Sequence, residues 1–131
     1  MSREFKFRAW DISRGKMYPV DATDTMDLFS EDSGFVMEQF TGLRDKNGKE
    51  IYEGDILSCG HYKKSREFNN FIIFSDGMFC FNPNKKLHQV KRPLRQSLEY
   101  AGAANNQYEV VGNIHENPDL LSPTTGGTDE R

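Results

Sequence analysis

The chain has 131 residues and a formal net charge of −3, with 36 % hydrophobic and 12 % aromatic residues. That length suits one domain, and the low hydrophobic share implies a small core with exposed loops or a tail. No window approaches the ~18–20 apolar residues of a membrane span, the start is charged without an apolar signal segment, and two cysteines cannot build a disulfide-dense scaffold.

Ten Phe, five Tyr and one Trp, with few aliphatics beside them, favour a β-rich domain with a core built from rings. Residues 3–10 alternate polar and apolar, with Phe5, Phe7, Ala9 and Trp10 as the apolar set and Arg3, Lys6 and Arg8 on the wet side, which reads as a half-buried strand. Asp11–Gly15 turns the chain and Lys16–Val20 returns it, with Pro19 confining that strand to an edge or to its own end. Residues 21–34 read as an acidic loop. Asp21, Asp24 and Asp27 recur every third residue, which does not fit the ligand positions of a calcium loop. Phe35–Phe40 is a third strand.

Asp45-Lys-Asn-Gly48 is a turn, and Glu53-Gly54-Asp55 is a second tight bend leading into Ile56 and Leu57, as at a strand entrance of small SH3-like barrels. Gly54 lets the chain reverse, and the Asp55 carboxylate can accept from nearby backbone N–H groups. Phe68–Phe74 and Met78–Phe81 flank Asp76-Gly77 and form the clearest hairpin in the chain. Leu94, Leu98 and Ala101 have helical spacing within residues 94–104, weakened by Gly102. Tyr108–Ile114 is a last strand, Pro118 opens a short helical turn, and residues 122–131 read as a loose tail.

Three runs carry a family resemblance: Phe7-Arg-Ala-Trp-Asp11 with Met17-Tyr18, then Gln39-Phe-Thr-Gly-Leu-Arg-Asp-Lys-Asn-Gly-Lys-Glu-Ile-Tyr-Glu-Gly-Asp-Ile56, then Val110-Val-Gly-Asn-Ile-His-Glu-Asn-Pro-Asp-Leu-Leu121. The sequence resembles the YopX-like family of phage and prophage proteins over residues 3–121. The resemblance implies a mainly β, barrel-containing fold and a phage-encoded accessory protein. It supplies no catalytic residue. Residues 60–107 match least and are the place for a role peculiar to this chain.

The chemistry-bearing residues build no familiar site. A zinc site from Cys59, His61, Cys80 and His88 lacks the paired short spacings of structural zinc. A Cys59 nucleophile with His61 or His115 needs a contact in space, and Glu53 with Asp55 reads better as a turn than as an acid/base pair. No phosphate-binding glycine loop occurs. The expectation is therefore a protein without cofactor or metal, cytoplasmic, with reduced thiols.

Charge is unevenly laid out: residues 1–60 carry −4, 61–95 carry +6 and 96–131 carry −5. Lys63, Lys64, Arg66, Lys85, Lys86, Lys91 and Arg92, with Tyr62, Phe68 and Phe71 among them, are the residues that nucleic-acid backbone contact and base stacking would use. A solvated hairpin with charged loops accounts for them as well. The leading expectation is a non-enzymatic module that binds a host or phage protein and self-associates. The alternative is a small nucleic-acid-binding accessory protein.

Overall fold

The computed structural model describes residues 5–20, 32–59, 69–83, 92–100 and 107–121. Strand β1 (Phe7–Asp11) turns through Gly15 (φ +65°) into β2 (Lys16–Val20), and the two pair antiparallel with Ala9 opposite Tyr18. Pro19 lacks the N–H a central strand needs, and β2 is indeed the edge of its sheet. On its other side β1 pairs antiparallel with β3 (Phe35–Arg44), Ala9 opposite Met37. Strand β3 is longer than its sequence suggests, because its far half pairs with a separate strand, β4 (Glu50–Tyr52), after a register shift between Phe40 and Arg44. The order of this first sheet is β2-β1-β3-β4.

The Asp45–Gly48 turn joins β3 to β4 as expected, with Gly48 at φ +83°. Asp45 Oδ1 accepts from the N–H groups of Asn47 and Lys49, both at 2.9 Å. Its Oδ2 accepts from the N–H of Val110 at 2.9 Å, while the N–H of Lys46 donates to the Tyr108 carbonyl. One buried aspartate thus closes its own turn and covers the outer edge of a strand 65 residues away.

The second sheet has the order β8-β7-β6-β5-β9. Strand β5 (Asp55–Cys59) is central between β6 (Asn70–Ser75) and β9 (Tyr108–Asn113). The hairpin of β6 with β7 (Met78–Phe81) turns through Asp76 (φ +55°) and Gly77 (φ +79°), the two consecutive positive φ values a two-residue turn requires. A two-residue strand, β8 (Arg92–Pro93), pairs with β7 and leads straight into the helix α1 (Leu94–Tyr100). A single 3-10 turn follows at Pro118–Leu120, with Pro at its start. Among the described residues the chain is therefore mainly β: two antiparallel sheets, one of them a half-barrel, with one short helix. Residues 101–104 of the expected helix, the loop at 21–31 and the tail after Leu121 lie outside the described residues.

Ile51, Leu57, Ile72, Phe81, Leu94, Leu98 and Val110 form one buried cluster, with Leu43, Phe79 and Tyr108 packed against it. Six of the seven come from the second sheet and the helix, so Ile51 of β4 carries the first sheet into the same core. Each fully buried aliphatic or Phe side chain contributes about 1.5–3 kcal/mol. The assignment of sides on β1 needs correction. Phe5 is 64 % exposed, whereas Arg8, expected on the wet side, has a side chain only 14 % exposed. Arg8 is covered because the β4–β5 turn folds over it.

Candidate functional site

Arg8 is the centre of a cluster that ties the two sheets together. Its Nε donates to Glu38 Oε1 on β3 at 2.8 Å, its Nη1 meets Asp55 Oδ1 on β5 at 2.9 Å, and its Nη2 donates to the Glu53 carbonyl at 3.1 Å. The guanidinium carbon lies 4.8 Å from the centre of the Tyr52 ring. The other Glu38 oxygen, Oε2, is 2.7 Å from His115 Nε2, and the His115 ring stacks on Trp10 at 5.0 Å and 11°. The Asn113 side chain positions His115 by accepting from its backbone N–H and from that of Glu116.

Backbone geometry makes the cluster specific. Gly54 sits at φ +83°, and a Cβ there would collide with the Glu38 carboxylate. The N–H of Gly54 donates to the Ile72 carbonyl and its own carbonyl accepts from the N–H of Ile114, so three chain segments meet at one glycine. The expected role of Asp55 as a turn acceptor holds: the N–H of Tyr52 donates to its Oδ2 at 2.8 Å. Its ion pair with Arg8 is an addition that spacing could not show.

Two carboxylates, those of Glu38 and Asp55, pair with one guanidinium, and the Glu53 carboxylate lies close enough to feel its charge. Burial pushes the Asp55 carboxyl above its ordinary value, against the pull of Arg8, and the negative Glu38 adds to the rise. Burial raises the Glu53 carboxyl too, opposed by the backbone N–H of Gln39, which donates to its Oε1. The cluster's oxygens and nitrogens bond to one another and to backbone, which suits a clamp between sheets better than a reaction centre.

A second feature lies away from the cluster. Where β3 bulges, the β6–β7 turn and the start of α1 face it across an open groove of about 910 Å³. Phe40, Leu43, Met78, Phe79 and Leu94 give it an apolar lining, and Phe5 and Phe74 stand at its margin, Phe74 being 53 % exposed and edge-on to Phe79. A concave apolar surface with exposed aromatic rings at its margin has the character of a binding surface.

Of the basic residues singled out for nucleic acid, Arg92 is described: its guanidinium lies 4.7 Å from the centre of the Phe81 ring. Lys63, Lys64, Arg66, Lys85, Lys86 and Lys91 lie outside the described residues, as do His61 and His88. Cys80 is buried on β7, and His115 is engaged by Glu38. No set of three or more His, Cys, Asp or Glu suited to a metal occurs among the described residues, and none of the described helices is long and apolar enough to cross a membrane.

Solved structures resemble this fold. The crystal structure of protein EF1440 from Enterococcus faecalis superposes with a TM-score of 0.61 at 29 % identity, covering 92 % of this chain and all of that one. Protein yopX from Bacillus subtilis aligns at 20 % identity and a TM-score of 0.43, over 89 % of this chain and 98 % of that one. No curated protein sequence matches. The sequence matches the family described as YopX protein over residues 21–122, a range that holds Glu38, Glu53, Asp55 and His115 but begins after Arg8 and Trp10. The chain belongs to the YopX protein family.

Proposed function

We propose that this domain is a non-enzymatic interaction module, an accessory protein of phage or prophage origin that docks a host or phage protein in the bacterial cytoplasm. The observation that carries the reading is the open apolar groove with the rings of Phe5 and Phe74 exposed at its margin. The Arg8 cluster supports it from the other side, since those charged groups are consumed in holding the sheets together. Self-association is also part of the proposal.

A photo-crosslinking residue at position 74 tests it, with position 111 on β9 as control because Val111 is also exposed. The expected result is a discrete product from position 74 that disappears when Met78 is changed to Asp. Equal labelling from both positions, or none from 74, overturns the reading.

Nucleic-acid binding is the second reading, and one observation favours it. The N–H of Asn82 donates to the Phe71 carbonyl and the Asn70 side chain to the Asn82 carbonyl, so β6 begins where β7 ends. The chain therefore enters and leaves the hairpin at one end, and in sequence one basic run precedes that entry and the other follows that exit. Changing Lys63, Lys64, Lys85 and Lys86 to Ala is expected to reduce the salt slope of oligonucleotide binding by about 4. Unchanged affinity in that variant removes this reading.

A further inference from the structure

We infer that Arg92 is the fixed phosphate contact for the backbone of a nucleic-acid strand. This rests on the nucleic-acid reading above and adds which residue holds the backbone, and how. Arg8 and Arg92 are the half-buried arginines among the described residues, and they use their N–H groups differently. Arg8 donates to Glu38 and to the Glu53 carbonyl and pairs with Asp55. Arg92 meets no carboxylate or carbonyl among the described residues, and its Nε is buried without an acceptor. A cationic donor taken out of water is costly to leave unpaired, so such groups are found with a carboxylate, an anion or a ligand. The adjoining sequence between β7 and β8 supplies no carboxylate: residues 82–91 contain no Asp or Glu but three lysines, Lys85, Lys86 and Lys91.

What holds Arg92 is a ring. Its guanidinium carbon lies 4.7 Å from the centre of Phe81, which is 2 % exposed and is itself packed against Tyr108 at 5.4 Å. Phe81 and Arg92 are also partners in the β7–β8 pairing, so backbone and ring fix the guanidinium together. Stacking engages the face of a planar guanidinium and leaves the N–H groups along its edge to meet an anion. A fork held in one place suits the paired oxygens of a phosphate better than a mobile ammonium does.

The position of Arg92 in the chain makes the anion part of a strand. Arg92 lies opposite Phe81, beside the end of the hairpin where Asn70 and Asn82 mark entry and exit. In sequence, Lys63, Lys64 and Arg66 precede that entry, and Lys85, Lys86 and Lys91 follow that exit. A nucleic-acid backbone repeats its charge at every nucleotide and rewards several cations together, and one fixed contact among them sets the register.

Fluorescence anisotropy of a labelled single-stranded oligonucleotide and of its duplex, titrated over salt on the full chain, tests the proposal. Arg92→Gln is expected to reduce the slope of log affinity against log salt by about 1 and to weaken all sequences alike. Arg92→Lys keeps the charge without the fork, so it should keep the slope and bind more weakly than wild type. Urea midpoints near wild type in both variants show that the fold is intact. A wild-type slope in Arg92→Gln, beside a reduced slope when Lys63, Lys64, Lys85 and Lys86 are changed to Ala, overturns the role of Arg92 and leaves the nucleic-acid reading standing. Absence of salt-dependent binding by the wild-type chain overturns both. A urea midpoint that falls steeply in Arg92→Gln and recovers in Arg92→Lys makes a carboxylate of the chain itself the partner of the guanidinium, which overturns the proposal. Displacement of the oligonucleotide by polyglutamate as readily as by unlabelled oligonucleotide makes the partner an acidic protein and overturns it too.

Discussion

Arg8 ties β1 to β3, to β5 and to the β4–β5 turn. It neutralises Glu38 and Asp55, whose side chains are 6 % and 3 % exposed. Changing it to Met keeps much of the volume but leaves two buried carboxylates without their shared cation, which costs about 3 kcal/mol or more. Urea unfolding of Arg8→Met against wild type checks this. The carboxylates also set the pH dependence. Burial raises Asp55 and Glu53, so the folded state binds their protons more tightly than the unfolded chain does. The stability they contribute is full below the ordinary carboxylate range and is lost as pH rises through their raised values. Glu50 acts in the opposite sense. Its hydrogen bond from Lys6, then the charges of Lys6 and Arg44, hold it low, so its contribution is present above the ordinary range and lost as pH falls. Glu53→Gln keeps an acceptor for the Gln39 N–H but cannot ionise. Its urea midpoint is therefore expected to gain on wild type as pH rises above the ordinary carboxylate range. A constant difference across that range would show that Glu53 titrates normally.

At the scale of elements, the turns were legible and the partnerships were not. Asp76-Gly77 between apolar runs is a local signal, and the hairpin forms where it says, because the two positive φ values are demanded by the turn alone. Gly77→Ala places a Cβ at φ +79° in open space and is expected to cost about 1 kcal/mol in urea unfolding, whereas Gly54→Ala adds a collision with Glu38 and should cost clearly more, over about 2 kcal/mol. Equal costs would mean that the Glu38 carboxylate yields freely. The sequence offers no comparable cue for β9 lying beside β5, or for the split of β3 between β1 and β4, since both depend on segments far apart in the chain. Residue patterning also misassigned Arg8: alternation says which residues share a face, not whether a later turn will cover that face. The two-residue β8 is too short to carry any periodic signal.

For the molecule as a whole, the family runs quoted from the sequence acquire a physical meaning. Arg8 and Trp10 come from the first, Glu53, Gly54 and Asp55 from the second, and His115 from the third, and they converge at one junction between sheets although Glu38 and His115 are 77 positions apart. The groove was invisible in sequence because its lining comes from β3, the β6–β7 turn and α1, each of which reads alone as ordinary strand, turn or helix. The cluster that holds the sheets together thus lies apart from the groove proposed to bind. One paired measurement tests this most directly: the urea midpoint and the crosslinking yield from position 74 in two variants. Met78→Asp, with the crosslinker at 74, should lose the crosslink while keeping the wild-type midpoint, and Arg8→Met should lower the midpoint yet keep the crosslink under conditions where it remains folded. A folded Arg8→Met chain that loses the crosslink, beside a Met78→Asp chain that retains it, would contradict the account.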